Sequence, residues 1–366
     1  MTGRERFLTA LSNQRPDHLP CQVHNWMPNY LSDRLGGVSD LEAYRAVGMD
    51  PVLYREPQYI YTAKALANWQ SKTTVLGTDA EGNTSWRTVV TTPEGELITE
   101  GQNNRYTMWL TRLPIQSERD FEIWDRYIPL PDAVDWSPVL AAQRELGEDG
   151  IVRGSFFDFG QGSPWQSFSG YLYHTDEAIM MAMDEPEWLD HVMETMLQKK
   201  LAVIEKAAPF AFDLVETGGG GGSCSVISPD MHRRFCLPYD TRQHAAIHAA
   251  GSKVVHHLCG RLMPLLDMVV ENGADALETM TPASMGADCD LAAADARVGD
   301  KLCFIGGFDQ NAGFENGTPE AVRGMVQELF QAKRHGGFII SPSDHFFFGD
   351  PENLRAFVQA AKECVY

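Results

Sequence analysis

Short apolar runs alternate with longer helix-period stretches through the second half of the chain. Ala211 to Glu216, Ser252 to Cys259, Asp275 to Glu278, Leu302 to Ile305 and Phe338 to Ser341 have strand length and an apolar, partly β-branched character. Between them lie helix signals. Ser228 followed by Pro229, and Thr318 followed by Pro319, are favoured N-cap and first-turn pairs. Further helices are expected over about 261–272, stopping at the left-handed cap Gly273, over 291–298, and from Pro351 onward. Five strand–helix units in a row call for a parallel sheet covered by helices.

The first half is less regular. Leu19 to Val23, Pro51 to Tyr54 and Ile151 to Phe156 are strand candidates, which brings the total to eight. Eight such units over this length predict an α/β fold of the (β/α)8 TIM-barrel kind, one domain over 1–366. Residues from about 82 to 112 read differently. Arg87 to Thr92, the turn Pro93-Glu94-Gly95 and Glu96 to Thr99 make a β-hairpin, with a further strand near Tyr106 to Leu110. This is an expected insertion after the second strand. The polar start, MTGRERFLTALSNQRP, reads as an amphipathic helical segment and not as a signal peptide.

Composition narrows the function classes. The 30 Lys+Arg against 50 Asp+Glu give a net charge of −20, which repels phosphate backbones, so no nucleic-acid partner is expected. No run of about 18 apolar residues occurs, so no membrane span is expected. Seven scattered cysteines suit reduced thiols in the cytoplasm. There is no Gly-x-Ser-x-Gly elbow and no His-Glu-x-x-His, which leaves serine hydrolase and metalloprotease readings without support.

The chemistry concentrates where the strands end. Side chains two apart on a strand share a face, so His257 and Cys259 point together, as half of a zinc site would. A buried histidine and a small apolar cysteine are the bland alternative. In a barrel the strand ends share one rim, which would bring Glu216, Glu278, Asp344 and His345 toward the same mouth. Each carboxylate has its own alternative as a loop or cap group. The glycine run Gly218 to Gly222 lacks the spacing of a phosphate loop and is expected to be a close-packed or mobile rim loop. Aromatic residues crowd two mouth segments: Phe156, Phe159, Trp165 and Tyr171 after the third strand, Phe346 after the eighth. With Trp26 they are the expected lining of a flat apolar or aromatic pocket.

Several short motifs occur in a telling order. They are MTGRERFLTAL with Arg15-Pro16-Asp17, Ile227-Ser228-Pro229, His257-Leu258-Cys259-Gly260, Gly306-Gly307-Phe308-Asp309 and Pro351-Glu352-Asn353-Leu354. In this order the chain resembles the uroporphyrinogen decarboxylase superfamily, which implies the same barrel. The superfamily holds true decarboxylases and cobamide-dependent methyltransferases. The decarboxylases' arginine-rich segment after the first strand has no counterpart in 23–30, where no arginine occurs. His257 and Cys259 instead match the His-x-Cys zinc motif of the methyltransferase branch. That branch usually adds a late cysteine where this chain has Ser341-Pro342-Ser343-Asp344, which puts Asp344 in its place.

The resemblance therefore implies zinc held by His257, Cys259 and Asp344, with Glu216 as a fourth ligand. Replacing a thiolate by a carboxylate leaves the metal a stronger Lewis acid, suited to polarising an ether oxygen. The implied activity is transfer of a methyl group from a small methoxylated donor, aromatic in the favoured case, to the cobalt of a corrinoid (cobalamin) on a partner protein. No Asp-x-His-x-x-Gly corrinoid motif occurs in the chain, so the corrinoid protein is expected to dock from outside. The alternatives are methyl-corrinoid:thiol transfer, decarboxylation of another acid, and a barrel that only binds. A homodimer is left open.

Overall fold

The computed structural model describes residues 1–155 and 162–366. Seven strands form one parallel sheet in the order Val52–Tyr54, Ile151–Ser155, Leu214–Gly218, Lys253–His257, Ala276–Thr279, Cys303–Phe308 and Phe338–Pro342. Neighbours in sequence are neighbours in the sheet, and helices connect them, as parallel pairing requires. The apolar runs that suggested these strands are buried, Val254 and Val255, Ala276 and Leu277, and Phe304 and Ile305 among them. This is the expected TIM-barrel plan.

The expected first strand, Leu19 to Val23, is reduced to a bridge. Cys21 pairs in parallel with Ile340, Gln22 N–H donates to Ile340 O at 3.0 Å, and Ile340 N–H donates to Pro20 O at 3.0 Å. Pro20 can offer a carbonyl but no N–H, so the ladder goes no further on that side. The segment still occupies the eighth place beside Phe338–Pro342. The part of the expected third strand at Phe156 lies outside the described residues.

Helix starts follow local chemistry. Thr2 and Glu5 form a capping box for Gly3–Leu11, and Ser39 and Glu42 do so for Asp40–Val47. Ser228 caps Pro229–Phe235, and Thr318 caps Pro319–Ala332. The stretch expected as one helix from Arg261 begins as a 3-10 turn, Met263–Leu265, and becomes α-helical at Leu266–Glu271. No helix is long and apolar enough to cross a membrane among the described residues.

The insertion is larger than the expected 82–112. It is a four-stranded antiparallel sheet, Gln70–Thr78, Thr84–Thr92, Gly95–Asn103 and Met108–Arg112. The extra strand is QSKTTVLGT, exposed along its whole length. It buries no face, so it carries no hydrophobic alternation by which to find it. A second small pairing, Gln58–Ile60 with Ala133–Asp135, ties the two ends of the excursion to each other.

Gly306 sits inside the sheet at φ +123°, and a Cβ there would stand 1.7 Å from Thr279 O. Neither the angle nor the space suits another residue. Gly306→Ala should lose roughly 2–4 kcal/mol of stability. Equilibrium urea unfolding checks this, and a midpoint equal to that of the wild type would contradict the packing described.

Candidate active site

Five side chains meet inside the mouth of the barrel. Arg153 comes from the Ile151–Ser155 strand, Glu216 from Leu214–Gly218, His257 from Lys253–His257, Glu278 from Ala276–Thr279, and His24 from the loop after the first segment. All five are buried, Arg153 at 0% exposure. A fully buried guanidinium needs compensating charge, and two carboxylates supply it. Arg153 Nη1 donates to Glu278 Oε2 at 2.9 Å, and Nη2 donates to Glu216 Oε2 at 2.7 Å and to Glu278 Oε1. Below it, the guanidinium lies 4.9 Å over the Tyr54 ring.

The two carboxylates have charge left over, and His257 takes it up. Its Nδ1 lies 2.8 Å from Glu278 Oε1 and 3.7 Å from Glu216 Oε1. His24 Nδ1 stands 3.6 Å from the same Glu278 oxygen and 3.4 Å from the Tyr54 hydroxyl. Burial opposes ionisation of both glutamates, but the Arg153 charge outweighs it and holds both below the ordinary carboxylate range. Burial likewise opposes protonation of His257. Its hydrogen bonds with Cys259 and Glu278 and the charge of both glutamates outweigh that and raise it well above the usual value. One guanidinium against two carboxylates leaves one negative charge, so a cation is favoured at His257.

Cys259 follows the strand and stays beside His257. It is half-buried under the glycine run, where a Cβ on Gly220 would meet Cys259 Sγ at 2.6 Å. The run is a packed rim loop. Gly221 N–H donates to Gln166 Oε1 at 2.7 Å, and Trp165 Nε1–H donates to Gly221 O at 2.8 Å. Tyr171 is half-buried, and the charges of Glu216 and Cys259 reach it. Burial first, and then those charges, push its phenol up, so it stays protonated at neutral pH. His345 closes the mouth from the other side, its ring 4.9 Å from that of His24. Burial and the neighbouring His24 hold it below the usual imidazole range.

The ligand-type atoms that converge here, all within 4.8 Å of one another, belong to His24, Glu216, His257 and Glu278. Of the four expected metal ligands, Glu216 and His257 are in this group and Cys259 adjoins it. Asp344 is exposed on the rim, and its Oδ1 accepts from His345 N–H at 2.7 Å. Of the expected pocket aromatics, Tyr171 lies near enough to Glu216 and Cys259 to feel them. Trp165 is fully buried beneath the glycine run, stacked on Phe235. Trp26 and Phe346 are buried against Tyr30, with ring centroids 6.1 and 4.8 Å from it. Phe156 and Phe159 lie outside the described residues. Arg153 and His24 were not anticipated. A charged residue inside an otherwise apolar strand was the available signal for Arg153, whereas His24 had only its place after the first segment.

The family described as Uroporphyrinogen decarboxylase (URO-D) matches residues 159–364, more than half of the chain. The chain belongs to the uroporphyrinogen decarboxylase family. A relative of that name from Pseudomonas putida is 23% identical over 385 residues, covering 98% of this chain and 96% of the relative. Another, from Chlorobaculum tepidum, is 28% identical over 145 residues, only 38% of this chain and 39% of that protein. Among solved structures, a methyltransferase from Methanosarcina mazei superposes with a TM-score of 0.68 at 14% identity, covering 99% of both chains. That likeness is one of fold.

Arg153→Gln should cost about 3–5 kcal/mol at neutral pH, because two buried carboxylates lose their counter-charge. The pH dependence has a definite sign. With Arg153 present, the glutamates' folded pKa values lie below the ordinary 4.5. Their contribution is therefore complete above that value and lost as pH falls through the lower folded values. Without Arg153, burial dominates and the carboxyls protonate at higher pH, so the variant's deficit should shrink on acidification. Denaturant titrations at pH 7.5 and pH 5 check this, and a deficit that grows toward pH 5 would contradict the arrangement.

Proposed function

We propose that this chain is a zinc-dependent methyltransferase that takes a methyl group from a methoxylated substrate, aromatic in the favoured case, for a corrinoid held on a separate protein. The observation that carries the reading is the engagement of His257. Its Nδ1 is taken by Glu278 at 2.8 Å, so Nε2 is the nitrogen left for a metal, beside the Cys259 thiol. A metal-binding histidine is usually held in this way by a carboxylate on its other nitrogen. The negative charge left over from Arg153, Glu216 and Glu278 favours a cation at that position. The donor set therefore fits zinc. His257 and Cys259 would hold it, with Glu216 and the rim residue Asp344 completing the set. When bound, zinc supplies a Lewis acid that polarises an ether oxygen and makes the alkoxide or phenolate a better leaving group.

The chain's own residues do the rest. Arg153 fixes both glutamates, and Glu278 fixes the His257 ring. The Tyr171 phenol, kept protonated by burial, donates a hydrogen bond toward the oxygen that loses its methyl group. The packed glycine run brings backbone close against Cys259, and the corrinoid protein would dock over this rim. Among the described residues, the one arginine of the inner ring, Arg153, is engaged by Glu216 and Glu278 and so is not available to clamp a polycarboxylate. A protein confined to the cytoplasm, with reduced thiols, fits this chemistry.

The curated relatives' name favours a second reading, decarboxylation of a tetrapyrrole or another acid. Transfer from a methyl-corrinoid to a thiol is a third, using the same metal. One assay series separates them. Purified protein, zinc and a reduced corrinoid protein are mixed with a panel of methoxylated aromatics, and the corrinoid absorption spectrum is followed. The expected result is a spectral change to the methylated form, at least about 100-fold slower with Cys259→Ala and absent without the corrinoid protein. Carbon dioxide release from uroporphyrinogen, unaffected by chelator, together with no corrinoid methylation, would overturn the proposal.

Metal content gives an independent check. Cys259→Ala and His257→Ala should each lose most of the mouth zinc, and Asp344→Ala less than either, because Asp344 stands outside the converging group. Full retention of that zinc in both Cys259→Ala and His257→Ala would remove the site.

A further inference from the structure

On the opposite face of the His257 strand, His256 points away from the mouth into a second buried cluster. There it meets His232 of the Pro229–Phe235 helix and Asp240 of the Leu237–Ala249 helix, each at 1% exposure. Ligand-type atoms of the three lie within 4.8 Å of one another. His232 Nε2, His256 Nε2 and both Asp240 carboxylate oxygens are buried and have no hydrogen-bond partner.

The surrounding hydrogen bonds fix what these atoms are. His232 Nδ1 lies 2.8 Å from Gly222 O, which can only accept, so Nδ1 carries the proton and Nε2 presents a lone pair. His244 Nδ1 lies 2.9 Å from Asn272 O, so its Nε2 is likewise a lone pair. The Thr217 hydroxyl, 2.8 Å from His244 Nε2, therefore donates to it. That leaves Thr217 Oγ1 as the acceptor for His256 Nδ1 at 3.5 Å, and His256 Nε2 as a third lone pair. Two imidazole lone pairs and the Asp240 carboxyl thus face one another in a buried space, and burial pushes that carboxyl up to about 8, so charge balance there needs either a proton or a metal ion. Acceptors buried against acceptors are costly unless a cation sits among them. Lys200, buried on the Pro186–Ala207 helix, is the cationic side chain whose charge reaches Asp240.

We propose that His232, His256 and Asp240 bind a divalent transition-metal ion of the zinc class, at a structural site separate from the mouth. Two neutral imidazoles and one carboxylate are a common donor set for zinc. Each histidine is held through its other nitrogen, as ligating histidines are. Ligand atoms on tetrahedral zinc stand about 3.3 Å apart, so small side-chain rotations close the cluster onto an ion. The ion would tie two helices to the strand that carries His257, and through His232 to Gly222 at the end of the glycine run. The inference does not rest on the methyltransferase reading.

The test counts metal in variants after unfolding and refolding in zinc, followed by removal of excess ion. His257→Ala/Cys259→Ala, which lacks the mouth ligands, should keep about one zinc per chain and gain several degrees in Tm over its chelated form. Adding Asp240→Asn with His232→Gln should abolish both the bound zinc and the Tm gain. If the mouth variant does not refold, Asp240→Asn/His232→Gln alone should hold about one zinc fewer than wild type. Zinc retention indifferent to Asp240 and His232, or a mouth variant that refolds without zinc and shows no Tm shift, would overturn the site. A wild-type protein with about one zinc, lost on Asp240→Asn/His232→Gln but kept in the mouth variant, would uphold this site and sink the mouth zinc alone.

Discussion

The buried ion pairing of Arg153 with Glu216 and Glu278 is the constraint on which the mouth depends. Three strands each contribute one charged side chain to it, and none of the three could be buried alone without a large desolvation penalty. The geometry is therefore all or nothing. Once the guanidinium is clamped by both carboxylates, Glu278 has one oxygen that also serves His257, and the ring orientation follows. The same imbalance, one positive charge against two negative, favours positive charge at His257, whether a proton or a cation in its place. It also explains why the site favours a cation over an anionic substrate group.

The His257 strand divides two environments by the period of two residues that every strand has. His257 faces carboxylates, which hold its pKa well above the usual imidazole range. His256, one residue earlier, faces helices, histidines and Asp240, and burial with its imidazole neighbours pushes it well below the usual range. Adjacent histidines in one apolar strand thus serve opposite electrostatic roles. The barrel makes this possible because its sheet has a buried inner face and a buried outer face, each able to hold polar groups when hydrogen bonds or a cation compensate them.

Much of this was legible in the chain, for particular reasons. The Lys253–His257, Ala276–Thr279 and Cys303–Phe308 strands are apolar because both their faces are covered, and continuous apolar runs reveal them. His257 and Glu216 could be placed at the mouth because parallel barrels put strand ends on one rim. The four-stranded insertion was only partly visible, since Gln70–Thr78 is polar and exposed and leaves no periodic trace. The Leu19–Val23 run reads as a full strand from its residues, yet Pro20 limits its pairing to one bridge. His24 joins the site from a loop, and nothing local distinguishes it from any other loop histidine. Arg153 was detectable in principle, because a charge in a buried strand demands a partner, but its partners lie 63 and 125 residues away in the chain.

On the reading proposed above, the clamped His257 and the adjoining Cys259 together hold a metal at the mouth. Zinc K-edge absorption fine structure addresses it most directly, on zinc-loaded Asp240→Asn/His232→Gln protein so that only the mouth contributes. The account predicts one sulfur scatterer at about 2.3 Å with nitrogen and oxygen at about 2.0–2.2 Å. A shell of nitrogen and oxygen alone, with no sulfur, would contradict it.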